Sequence, residues 1–83
     1  MKTIILTDAA AKDLAALPAQ DRATVEGALD EYAMTGRGHV IALQGRSGFR
    51  MRIGAYRVIF DEDATTILAI YIGRRKTTTY RRN

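Results

Sequence analysis

The residues of this chain with the clearest chemical potential are arginines. Along Phe49-Arg50-Met51-Arg52-Ile53 the odd positions are apolar and the even ones basic, and Arg57 follows in Tyr56-Arg57-Val58-Ile59-Phe60. If Gly54 and Ala55 form the whole connection, Ile53 faces Tyr56, Arg52 faces Arg57 and Met51 faces Val58 across a hairpin. Arg50, Arg52 and Arg57 then share one face of a sheet. Like charges directly opposite each other on neighbouring strands are destabilising, so such a face must be solvated, be neutralised by Asp61 or Glu62, or meet an anion. Arg74-Arg75-Lys76 and Arg81-Arg82 further along favour the anion. The planar guanidinium fork matches phosphate oxygens in pairs, and nucleic-acid phosphates are the obvious ligand. Tyr71 and Tyr80 are candidates to stack on bases.

Composition narrows the other possibilities. With 83 residues the chain has room for one domain, residues 1–83, and a shallow site, because a domain this small buries only about 60% of its unfolded surface. There is no cysteine, hence no disulfide framework and no thiolate metal site. His39, the only histidine, sits in Gly38-His39-Val40 and is given a mostly structural role, and neither a metal nor another cofactor is expected. The longest apolar run, Ile67 to Ile72, is far short of a membrane helix, and Asp8 interrupts the N-terminal Ile4-Ile5-Leu6 too early for a secretory signal. A cytoplasmic protein is expected. The net charge of +4 is unevenly spread: residues 1–33 hold three basic against six acidic side chains, and residues 34–83 ten against three. The basic part suits an anionic ligand or an acidic partner.

The elements that must position these arginines follow from pattern and punctuation. Lys2–Thr7 reads as a short strand, after which Thr7 or Asp8 caps a helix running to about Leu17. Pro18 ends that helix and suits the start of the next, Ala19 to Thr35, whose buried stripe is Val25, Leu29 and Tyr32 and whose C-cap is Gly36. From Val40 the period becomes alternating. Strands are expected at Phe49–Ile53, Tyr56–Phe60 and Thr66–Gly73, the last apolar on both faces, with Asp61 to Thr65 as an acidic turn. The fold class is therefore α+β: an N-terminal strand, a two-helix antiparallel hairpin, then a three-stranded antiparallel meander. Ile59, Ile67 and Tyr71 are expected on the sheet face away from the helices, and a chain cut after Gly73 is expected to fold.

The order of elements resembles that of the RelE/ParE toxins of bacterial type II toxin–antitoxin systems. So do Leu43-Gln44-Gly45, the segment Phe49 to Phe60, and Ile70-Tyr71-Ile72-Gly73-Arg74-Arg75 with Tyr80 beyond. The resemblance runs essentially the full length and favours the RelE-like branch. It implies a toxin neutralised by a cognate antitoxin, which enters the ribosome, cuts messenger RNA as an endoribonuclease (an mRNA interferase) and so inhibits translation. The cut is an attack of a ribose 2′-hydroxyl on its own 3′ phosphate. Carried over residue by residue, the catalytic positions fall on Arg50, Arg52, Arg57, Arg75 and Tyr80. The RelE pattern has lysines where this chain has Arg50 and Arg52, and an arginine is a poor general base because its pKa exceeds about 12. The alternatives are a ParE-like inhibitor of DNA gyrase without nuclease activity, and a non-catalytic basic interaction module.

Overall fold

The computed structural model of the protein describes residues 1–75. The chain runs β1 (Thr3–Leu6), α1 (Asp8–Ala15), α2 (Ala19–Thr35), β2 (His39–Ala42), β3 (Phe49–Ile53), β4 (Tyr56–Glu62) and β5 (Thr66–Arg74). The Thr7 hydroxyl caps α1 by accepting from the Ala10 N–H at 3.1 Å, which satisfies one of the free donors of the first turn. Pro18 stands immediately before α2 and Gly36 closes it. The strands form one sheet in the order β1-β5-β4-β3-β2. The chain returns from β1 through both helices and the meander, so β1 lies parallel to β5 while β2 to β5 are successive antiparallel neighbours.

The expected three-stranded meander is present as β3, β4 and β5, and the sheet carries one strand more. β2 pairs His39 with Arg52, Val40 with Met51, Ile41 with Arg50 and Ala42 with Phe49. It is short and lies at the edge, with only Val40 even half-buried, so its side chains carry almost no alternating pattern to announce it.

One core joins helices and sheet. Ala10 and Leu14 from α1 and Val25, Leu29 and Ala33 from α2 pack against Met51, Ile53, Tyr56, Val58, Phe60, Ile67, Ala69 and Ile72. Phe60 takes Tyr32 edge-on and stacks on Phe49, each at 5.6 Å between ring centres, separations at which aromatic pairs add to plain area burial. Every sheet residue in this core lies on the helix side, which assigns Arg50, Arg52 and Arg57 to the opposite side by the alternation of a strand.

β5 breaks that alternation once. Ile59 pairs with Tyr71 but Phe60 pairs with Ala69, which leaves Ile70 as an extra residue, a β-bulge. Before the bulge Ile67 and Ala69 point to the core; after it Ile72 does. The backbone groups around it are held by α1 and its cap. The Thr7 hydroxyl donates to the Ile70 carbonyl at 3.2 Å, the Thr7 N–H to the Ala69 carbonyl at 3.0 Å, and Asp13 Oδ2 accepts from the Ile72 N–H at 3.1 Å. The sequence expectation for Ile67 is corrected by this shift: it is fully buried on the helix side, and only Ile59 and Tyr71 of the three lie on the far face.

Candidate phosphate-binding face

The hairpin register has Arg52 opposite Arg57, Met51 opposite Val58 and Ile53 opposite Tyr56, as the two-residue connection requires. Gly54 opens that turn at φ +56°, a conformation that a Cβ disfavours. Two rows of side chains result on the face away from the helices. One runs across the sheet through Ile41, Arg50, Ile59 and Tyr71, the other through His39, Arg52, Arg57 and Gly73.

Arg75 joins them because of the bulge. After Ile70 the even positions of β5 face the helices, so Arg74 lies on that side with its guanidinium carbon 5.4 Å from the centre of the Tyr56 ring. Arg75, its neighbour in sequence, goes to the other side. Its N–H donates to the Ala55 carbonyl at 2.8 Å and its Nη1 to the Gly54 carbonyl at 2.9 Å, which tie it to the β3–β4 turn. Arg50, Arg52, Arg57 and Arg75 together line a shallow cleft of about 190 Å³.

Among the described residues no carboxylate neutralises the cleft. Among the described residues the one ion pair is Lys2 with Glu62, at 2.9 Å. Glu62 also accepts the Tyr32 hydroxyl at 2.8 Å; burial, and then this hydrogen bond, push the Tyr32 phenol up to about 12. Glu62 is thus committed to the helix side of the sheet. Asp61 lies nearer Gly48, with Oδ1 3.1 Å from where a Cβ on that glycine would stand, and it forms no ion pair with any described residue. Arg57 Nε is buried and has no hydrogen-bond partner among the described residues. A buried charged donor left in this state is costly, and the facing Arg52 adds like-charge repulsion to that cost.

Four of the five site residues expected from sequence are therefore brought together, and the fifth, Tyr80, lies outside the described residues. His39, read from sequence as mostly structural, is exposed and stands opposite Arg52 at the end of its row. The signal that places it there is its spacing of two from Ile41 in a strand preceding the basic hairpin, which becomes visible only once β2 is recognised. No described group of three or more histidine, cysteine or carboxylate side chains is arranged to hold a metal ion. No helix of the described residues is long and apolar enough to cross a membrane.

Neither family models nor curated proteins match the sequence, whereas solved structures match the fold. A chain of the RelBE2 toxin–antitoxin complex from Mycobacterium tuberculosis superposes with a TM-score of 0.76 at 26% identity, over 89% of this chain and 98% of that one. A chain of the archaeal RelE–RelB complex from Pyrococcus horikoshii OT3 gives 0.78 at 21% identity, over 93% and 98%. A chain of the intact E. coli RelBE toxin–antitoxin complex gives 0.64 at 15%, over 92% and 99%. The fold is RelE-like, with the N-terminal strand, two helices and antiparallel meander expected from sequence.

Proposed function

We propose that this RelE-like chain is the toxin of a type II toxin–antitoxin system, and that the arginine cleft is where it holds the scissile phosphate of ribosome-bound messenger RNA. The observation that carries the reading is the convergence of Arg50, Arg52, Arg57 and Arg75 on one cleft with no carboxylate among the described residues to neutralise it. In the proposed reaction the 2′-oxygen attacks the adjacent phosphorus, the 5′-oxygen of the next nucleotide leaves and takes up a proton from water, and a 2′,3′-cyclic phosphate and a 5′-hydroxyl result. Negative charge builds on the phosphate oxygens along this path, and guanidinium groups fixed in advance around that position stabilise it without having to reorganise. The 2′-hydroxyl proton needs an acceptor other than arginine. His39, exposed opposite Arg52, is the histidine this face offers, and ribosomal groups are the other source.

The cognate antitoxin is the second partner. The three solved relatives are toxin–antitoxin complexes by name, and this chain carries apolar side chains suited to such cover. Met34 on α2 is 61% exposed in a groove it lines with Ile4 and Ala33, and on the other face of the sheet Ile5 of the outer strand β1 is 48% exposed.

The deciding experiment is incubation of the purified protein with ribosomes carrying a defined messenger, with primer extension to locate cuts, in parallel with a gyrase cleavage assay on supercoiled DNA. Cuts in the ribosome-bound codon that vanish when its riboses lack the 2′-hydroxyl support the reading. Gyrase-linked breaks with intact messenger move the protein to the ParE-like alternative. Inactivity in both, with antitoxin binding retained, leaves a basic interaction module.

A further inference from the structure

We infer that Tyr71 is a base-stacking platform, and that it receives the base of the nucleotide whose phosphate is held by Arg57. The inference rests on the face being a nucleic-acid surface and adds to it the group that grips the nucleotide's other end.

Three local features act together to place this ring. The bulge at Ile70 sends Tyr71 to the arginine face, where it lies beside Ile59. Two residues on, position 73 carries no side chain, and the outer half of the Tyr71 ring occupies the space one would take: the nearest atoms to a Cβ built on Gly73 are the Tyr71 hydroxyl, Cζ and Cε2. Gly73 is the cross-strand partner of Arg57. The phenol therefore extends along β5 into the row of Arg52 and Arg57, one strand away from the guanidinium cleft. Adjacent strands are about 4.8 Å apart, so the ring lies one strand spacing from the strand that carries Arg57.

Packing alone does not account for the arrangement. Tyr71 remains 41% exposed and is absent from the hydrophobic core. Its hydroxyl has no hydrogen-bond partner among the described residues, whereas those of Tyr32 and Tyr56 are both bonded to carboxylates. An aromatic ring resting on bare backbone, with cations on one side and solvent above, has the ingredients of a single-stranded nucleic-acid site: charge for the backbone and a π-surface for the base. Stacking tolerates every base, so Tyr71 contributes grip and orientation more than sequence choice.

The test uses the whole chain and two readouts. The first is equilibrium binding of a short fluorescent single-stranded RNA, made uncleavable by 2′-deoxy substitution, at low salt. The second is single-turnover cutting of messenger on programmed ribosomes. Tyr71→Ala should weaken RNA binding about tenfold, within the range of aromatic–base stacking, while Tyr71→Phe stays within about twofold. Gly73→Ala, which displaces the ring without removing it, should fall between them. On messenger with an abasic residue at the stacked position, the unmodified protein should drop to the level of Tyr71→Ala, which should itself lose nothing further. Folding of each variant is checked by its melting curve, and Tyr71→Phe keeps the test decisive if the alanine variant unfolds. Equal abasic penalties in the unmodified protein and in Tyr71→Ala, or a loss in Tyr71→Phe as large as in Tyr71→Ala, overturn the inference. So does a folded Tyr71→Ala variant whose RNA binding equals that of the unmodified protein. RNA binding that depends on Tyr71 without any cutting sinks the nuclease reading and leaves the platform standing; cutting indifferent to Tyr71 does the reverse.

Discussion

Replacing Arg57 by methionine separates what this side chain does for the fold from what it does for a ligand. Methionine keeps an unbranched apolar stem of similar reach, so the packing of the half-buried aliphatic portion is largely retained. Two penalties disappear. Arg57 Nε is a buried donor without a partner among the described residues, which costs about 1–3 kcal/mol; the low end applies because the side chain is only half-buried. The like-charge contact with Arg52 across the hairpin adds a few tenths. Arg57→Met should therefore stabilise the protein by about 1 kcal/mol, a rise in Tm of roughly 4–8 °C for a domain of this size. Function should move the other way. A guanidinium hydrogen bond to a phosphate contributes about 1.5–3 kcal/mol, so single-turnover cutting should fall roughly ten- to 150-fold and growth inhibition should be lost. Arg57→Lys retains the charge but not the two-pronged geometry and should not restore activity. Melting curves and ribosome cutting on the same preparations report both halves. A variant that melts at or below the parent temperature and remains fully toxic refutes the reasoning, because the arginine face would then be merely a solvated surface.

Other perturbations probe the elements around the site. Asp13→Ala removes the acceptor of the Ile72 N–H and should destabilise by about 1–2 kcal/mol; Asp13→Asn should recover most of that, and hydrogen exchange at Ile72 reads the bond directly. A chain cut after Arg75 should keep its far-UV circular dichroism and lose toxicity. The cut after Gly73, expected from sequence to leave the chain folded, should lower Tm, since it removes the Arg74–Tyr56 contact and both Arg75 bonds to the turn. Tyr32 has its folded-state pKa raised to about 12 from 10.0 by burial and by Glu62, so its contribution is complete below pH 10 and is lost as pH climbs toward 12. Alkaline melting of Tyr32→Phe should accordingly show a shallower decline over that window than the parent. For Asp63, hydrogen bonds from the Thr65 and Thr66 N–H groups hold the carboxyl below its ordinary value. Its contribution is present above pH 4 and lost on acidification, and Asp63→Ala should flatten that limb of the stability curve.

How much of this was legible in the sequence varies with how strongly each feature marks the chain locally. The second helix was readable to the residue because Pro18 and Gly36 punctuate it and Val25 and Leu29 recur at helical spacing. The hairpin register was readable because a two-residue connection leaves only one pairing, and because Arg50 and Arg52 alternate with Met51 and Ile53. The bulge was not. Ile67 to Ile72 is apolar throughout, so sliding the strand by one residue exchanges one apolar side chain for another and leaves no trace in the pattern. What fixes its position is Thr7 and Asp13, about sixty residues earlier. Local sequence therefore misplaced Ile67 and was silent on why Arg75, not Arg74, belongs with the other arginines; only the family resemblance supplied that residue.

The division of labour across the sheet follows from the same geometry. The helix side holds the whole hydrophobic core, and the ionisable groups that side does need are satisfied there: Glu62 by Lys2 and Tyr32, Asp21 by Tyr56, Asp13 by the Ile72 N–H. The opposite side is left free to carry groups that the fold does not need. Four guanidinium groups from β3, β4 and the residue beyond β5 meet there with no carboxylate partner among the described residues. Their mutual repulsion is small beside the energy of the core on the other face, and so it is tolerated. It also means that an anion binding in the cleft works with the fold rather than against it, relieving a strain that the sheet has held in place.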